Sequence, residues 1–111
     1  MTKIQTDPSL WEERLHTTAT EIAEFCQRHN IVEFALFGSV LRSDFQVNSD
    51  IDILVTYSPG YHLGWQDWFG AKVELQQKFG RPVDIVEKAL LKNPYRRAEI
   101  LKSYQVIYAK Q

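Results

Sequence analysis

Asp50 and Asp52 stand two residues apart in the run NSDIDILV, with apolar residues between and after them. Alternate side chains of a strand share a face. The two carboxylates therefore point one way, and Ile51, Ile53 and Val55 point the other way, into a core. Carboxylates held side by side repel, and one of them tends to keep its proton. A divalent cation removes that conflict. Magnesium, or manganese in its place, takes oxygen ligands: commonly one or two carboxylates, substrate phosphates and water. The competing reading is a solvated strand face, and an Asp-x-Asp pair alone does not displace it.

Two further features point to a metal-nucleotide site. Gly38-Ser39 follows the apolar run IVEFALF and precedes a short predicted helix. Glycine lets a backbone approach a phosphate closely, and free N–H groups at a helix start attract anions. By itself Gly-Ser is an ordinary turn. Asp84 then interrupts a second apolar run, PVDIV, with Val83 and Ile85 as its inward neighbours. Three acids on predicted strands beside a Gly-Ser turn are hard to explain as a solvated surface.

The elements that must position these residues are legible from local signals. Asp7 as N-cap and Pro8 at the first helical position open a helix. Trp11, Leu15, Ala19, Ile22 and Cys26 recur at helical spacing within it, and Asn30 closes it. Val32–Phe37 and Ile51–Tyr57 read as strands, with a turn at Ser58-Pro59-Gly60. A second helix covers Trp65–Phe79, with Trp65, Trp68, Phe69, the Lys72 stem, Leu75 and Phe79 near one face. Gly80 and Pro82 stop it. Pro82–Val86 is a third strand, Asn93-Pro94 starts a last helix to about Lys102, and Tyr104–Tyr108 is a final strand. This order predicts a single α/β (α+β) domain over residues 1–111: a small mixed sheet of about four strands with helices packed on it.

Composition narrows the function. The formal charge of -1 argues against strong direct nucleic-acid binding through phosphate neutralisation. It leaves room for one nucleotide whose charge a metal offsets. No apolar run is long enough to span a bilayer, and MTKIQTDPSLWEERL has no apolar centre, so neither a membrane span nor a signal peptide is expected. The single Cys26 excludes an intramolecular disulfide and fits a reducing cytoplasm. His16, His29 and His62 share no ligand spacing. Lys88, Lys92, Arg96, Arg97 and Lys102 make the C-terminal segment basic: a solvated helix face, or a patch that meets an acidic partner or an incoming nucleic acid. Trp65, Trp68 and Phe69 are most simply core, and Tyr57–Gly64 can form a rim to the site.

The run from Gly38 to Val55 resembles the minimal nucleotidyltransferase family of the DNA polymerase β-like superfamily. That pattern is Gly-Ser, then Arg, then Ser-Asp-h-Asp-h with h apolar, and later a third acid in a strand. Gly38, Ser39, Arg42, Ser49, Asp50 and Asp52 match it, and Asp84 stands where the third acid belongs. The likeness extends from Val32 to Tyr108 and includes KNPYRRAEIL. It implies a polymerase β-like fold and transfer of a nucleoside monophosphate from ATP with magnesium or manganese. Asp50 and Asp52 would hold the divalent ions. Asp84 would bind the second ion and help to deprotonate the acceptor hydroxyl. Ser39 and the Gly38 backbone would cradle the phosphates. Arg42 would contact the triphosphate or pair with Asp44. Ser49 would serve chiefly as a turn or cap hydroxyl at the edge of the nucleotide site.

The acceptor does not follow from fold or site type. The resemblance implies an antitoxin that accompanies a helical HEPN ribonuclease toxin and transfers AMP to one of its hydroxyls, a tyrosine being the expected acceptor. A non-catalytic antitoxin that blocks the same partner by binding is the first alternative. A small-molecule nucleotidyltransferase, completed as a homodimer, is the second.

Overall fold

The computed structural model describes residues 14–43, 45–46, 48–61 and 64–110, together with the backbone of 2–4. Asp7, Pro8, Trp11, Asp44 and His62 lie outside the described residues. The elements are β1 (Thr2–Ile4), α1 (Ala19–Arg28), β2 (Ile31–Phe37), a 3-10 turn (Gly38–Leu41), β3 (Ile51–Tyr57), α2 (Trp65–Phe79), β4 (Val83–Glu87), a second 3-10 turn (Lys88–Leu90), α3 (Pro94–Lys102) and β5 (Gln105–Lys110). They form one mixed sheet in the order β1-β5-β2-β3-β4. Only β3 and β4 run parallel, joined by α2, and every other neighbouring pair is antiparallel.

The expected mixed sheet with packed helices is present. A short strand at Thr2–Ile4, which the sequence did not signal, extends it at the β5 edge. Both faces are covered. On one face Ile22, Phe25 and Cys26 of α1 and Ala71, Leu75 and Phe79 of α2 meet Phe34, Leu36, Ile53 and Val55. On the other, Ile100 of α3 and Leu91 close over Ala35 and Leu54. Ile51, Ile53 and Val55 point into the larger core as the alternation predicts, and Leu54, on the acid side, is buried as well.

Two expectations need correction. The first helix does not run unbroken from Leu15 to Cys26. Its backbone breaks at His16, whose φ is +54°, and α1 starts at Ala19. Thr18 caps it by accepting from Glu21 N at 3.2 Å. Leu15 is buried but belongs to the segment before the cap. Trp65 and Phe69 are not core: they are 73% and 52% exposed and pack on each other with ring centroids 6.4 Å apart. The buried stripe of α2 runs through Ala71, Leu75 and Phe79, with Trp68 at its edge, and Trp65 and Phe69 fall on the helix flank beside it. Among the described residues no helix is long and apolar enough to cross a membrane.

Candidate active site

The site begins where β2 ends. Phe37 is extended, and Gly38 then turns the chain with a φ of +78°, a conformation that side chains other than glycine resist. The 3-10 turn that follows is anchored by Val40, which is fully buried, and closed by Arg42 N donating to Ser39 O at 2.9 Å. β3 lies against β2 with Phe37 opposite Asp52. This register brings the Asp52 carboxylate onto the glycine turn. A Cβ on Gly38 would overlap Oδ2 of Asp52 and come within 3.2 Å of its Cγ. The glycine is therefore required by a close approach as well as by its φ.

On the other side of β3, β4 sets Asp84 directly beside Asp52 in the parallel register. Register partners in neighbouring strands share a face, so the two carboxylates crowd the same side of the sheet. Asp50 precedes β3 and is exposed, as is Asp84, whereas Asp52 is half-buried. Burial pushes the Asp52 carboxyl above the usual range. The charges of Asp84 and Asp50 push it further up, and Arg42 and Arg96 pull against them.

This donor set suits a hard divalent cation, because the repulsion at Asp52 is relieved by a positive charge and all ligands are oxygens. Among the described residues no three acid, histidine or cysteine side chains stand close enough to enclose an ion by themselves. Ions held here need substrate oxygens and water to complete their shells.

A cleft of about 400 Å³ opens over the turn. It is lined by Phe37, Gly38, Arg42 and Asp52 from β2, the turn and β3, by Arg96, Glu99 and Ile100 of α3, and by Ser103 at the C-cap of that helix. Of the residues marked by sequence, Gly38, Arg42 and Asp52 line it, while Asp50 and Asp84 flank Asp52. Ser39 sits half-buried in the 3-10 turn. Ser49 spends its hydroxyl on a turn, accepting from Gln46 N at 3.0 Å.

A model of the nucleotidyltransferase domain matches residues 20–107. The chain belongs to that family. This nucleotidyltransferase is 32% identical over 93 residues to a protein of Methanocaldococcus jannaschii assigned as a protein adenylyltransferase, covering 75% of this chain and 91% of the relative. It resembles the structure of a protein assigned as a minimal nucleotidyltransferase, with a TM-score of 0.62 and 32% identity over 79% of this chain and 85% of the other. Its fold also matches a toxin–antitoxin structure with AMP-PNP, with a TM-score of 0.66 and 19% identity over 83% and 73% of the two chains. A complex of a tri-AMPylated Shewanella oneidensis HEPN toxin with an MNT antitoxin gives a TM-score of 0.57 and 19% identity over 83% and 70%. At 19% identity the likeness is one of fold.

The candidate site includes residues that sequence reading did not single out. Arg14 Nη1 donates to Val40 O at 2.6 Å and to Arg42 O at 2.7 Å, tying the segment before α1 to the glycine turn. Arg81 Nη1 donates to Gln46 O at 2.8 Å and to Ser49 O at 3.2 Å, just before Asp50. Both guanidinium groups also lie over the Phe45 ring, that of Arg81 4.3 Å and that of Arg14 5.5 Å from its centroid. These arginines hold the loop by carbonyls 26 to 35 residues away, so no local pattern could reveal them. Arg96, Glu99 and Ser103 did carry a signal. With Ile100 they repeat at three- and four-residue spacing, which marks one face of α3.

Proposed function

We propose that this nucleotidyltransferase transfers AMP from ATP to a hydroxyl of a HEPN ribonuclease toxin and serves as its antitoxin. One observation carries the chemistry. Asp52 and Asp84 are register partners, and Asp52 faces a glycine turn that has no room for a Cβ. The turn gives a phosphate backbone N–H groups, and the acids give a place for cations beside it. The partner reading draws on the M. jannaschii relative's assignment as a protein adenylyltransferase and on the fold shared with the MNT antitoxin complex.

The residues divide the work as follows. Gly38 and Ser39 hold the β and γ phosphates, and Arg42 neutralises the triphosphate from the cleft wall. Asp50, Asp52 and Asp84 would hold divalent magnesium or manganese. When bound, such ions stabilise charge on the attacking and leaving oxygens of an in-line displacement. Asp84, exposed beside Asp52, takes the proton of the acceptor hydroxyl. That oxygen bonds to the α-phosphorus, the α–β bridging bond breaks, and pyrophosphate leaves. An adenylyl group on a tyrosine near the ribonuclease centre adds bulk and negative charge where an RNA phosphate must sit. The need for ATP and the single buried thiol of Cys26 fit a cytoplasmic setting.

The test compares two labels of ATP on one purified HEPN partner. Label on the α-phosphate should enter the partner and label on the γ-phosphate should not, with divalent ions required. Transfer of the γ label would make the protein a kinase and defeat the proposal.

A further inference from the structure

Two arginines stand side by side in the first turn of α3, and the fold sends them in different directions. Asn93 Oδ1 accepts from Tyr95 N at 2.9 Å and from Arg96 N at 3.2 Å, which fixes that turn. Ile100, buried with Ala35 and Leu54, fixes the rotation of the helix about its axis. Arg96, four residues before Ile100, then lies on the face that lines the cleft. Arg97 is carried round the helix by one position. Its Nη1 donates to Lys88 O at 3.3 Å, and with Thr56 and Lys88 it borders a separate hollow.

The cleft is thus lined by two guanidinium groups from different elements, Arg42 at the end of the Gly38 turn and Arg96 on α3, together with Asp52. Glu99 lies one turn further along α3 in the same lining and would repel a phosphate, which leaves Arg96 as the cation that α3 offers to the cleft. A cleft lined by cations from two separate elements suits an extended anion that reaches both, and a triphosphate can do so where a single phosphate does not. Arginine also offers a planar fork that grips phosphate oxygens two at a time.

We propose that Arg96 is a phosphate-binding residue of this nucleotidyltransferase, gripping the terminal phosphates from α3 in the cleft it shares with the Gly38 turn and setting the preference for a triphosphate over a monophosphate. This rests on the reading of the cleft as the ATP site. It separates Arg96 from the basic surface to which Arg97, Lys92 and Lys102 belong.

Calorimetric titration of the full chain with MgATP and with MgAMP tests it, using Arg96→Ala, Arg96→Lys, Arg97→Ala and Asp52→Asn, each checked for wild-type circular dichroism. Arg96→Ala should weaken MgATP binding roughly 10- to 100-fold, the range for a lost hydrogen bond to a charged group. Arg96→Lys should recover part of that loss, because it restores the charge without the fork. MgAMP affinity should change by less than about 2-fold, within the small effect of removing an exposed charge that makes no contact. Arg97→Ala should bind MgATP as the wild type does. If neither Arg96 variant loses affinity while Asp52→Asn does, the role of Arg96 is wrong and the ATP site stands. Equal losses in Arg96→Ala and Arg97→Ala would reduce Arg96 to general surface charge and also overturn the proposal. A wild-type chain that binds no MgATP defeats both readings.

Discussion

Gly38 and Asp52 are in such close approach that a Cβ on the glycine would overlap the Asp52 carboxylate, and the glycine also holds a φ of +78°. Gly38→Ala therefore combines backbone strain with an overlap, and a loss of about 1–3 kcal/mol is expected. Asp52→Ala removes the overlap and leaves the strain. Gly38→Ala should thus cost less in an Asp52→Ala background, as urea unfolding of the four proteins in a double-mutant cycle would show. Equal costs in both backgrounds would mean that the overlap contributes nothing.

The pH dependence of stability tests the crowding at Asp52. Its carboxyl is raised by burial first, then by Asp84 and Asp50. The folded chain therefore holds this proton more tightly than the unfolded chain does. Ionising Asp52 costs stability as pH rises from an ordinary carboxylate value of about 4 through the raised one. Without divalent ions, Asp52→Asn should be more stable than wild type at neutral pH, and the gap should close below about pH 4. Thermal unfolding across pH measures this. A less stable Asp52→Asn protein at neutral pH would contradict it.

Away from the site, Glu74 of α2 bridges Arg28 and His29 at the end of α1, and these contacts, Arg28 foremost, hold its carboxyl down at about 2. A lowered folded-state value stabilises at pH above the usual glutamate range, and that contribution is lost as pH falls through about 2. The Arg28 side chain is 54% exposed and that of Glu74 27%, so solvent screens the pair. Glu74→Gln should cost only about 0.2–1 kcal/mol at neutral pH and less at high salt. Chemical unfolding in low and high salt distinguishes this from a larger, salt-independent packing loss.

The arginine clamp should matter more for turnover than for stability. Arg81 reaches two carbonyls just ahead of Asp50, and water can replace it there at a cost of about 1 kcal/mol. The acids it steadies must be held to within a fraction of an ångström for transfer. Arg81→Ala should lower kcat by roughly 10-fold or more, with a smaller change in KM for ATP, since a small misplacement of reacting groups is that costly. Steady-state kinetics beside a melting curve tests it, and a loss of activity that merely follows a loss of folded protein would count against the clamp.

The acid end of the site was legible because its signals are local. The alternation of Asp50, Asp52 and Ile53 and the break at Gly38 follow from strand periodicity and backbone sterics alone. The bounds of β3 and α2 matched those expected from sequence, as each is flanked by turn residues. The start of α1 was not legible, because Pro8 and the spacing of Leu15 favour a continuous helix, while the tertiary fold breaks it at His16 and caps it at Thr18. The pairing of Asp52 with Asp84 needed the parallel register of β3 and β4, which is set by how α2 docks across the sheet. The contacts of Arg14 and Arg81 and the different surroundings of Arg96 and Arg97 arise only once distant segments meet.

The central claim is that these carboxylates transfer AMP to a partner, and one experiment reaches it most directly. A purified HEPN partner is incubated with this chain, ATP and magnesium, weighed by mass spectrometry, then freed of the chain and assayed for RNA cleavage. The wild-type chain should add the mass of one or more AMP groups and leave the freed partner inactive. Asp52→Asn should add nothing, and its freed partner should cleave RNA. If the Asp52→Asn chain silences the partner as lastingly as wild type does, with no gain in mass, inhibition comes from binding alone and transfer by this site is refuted.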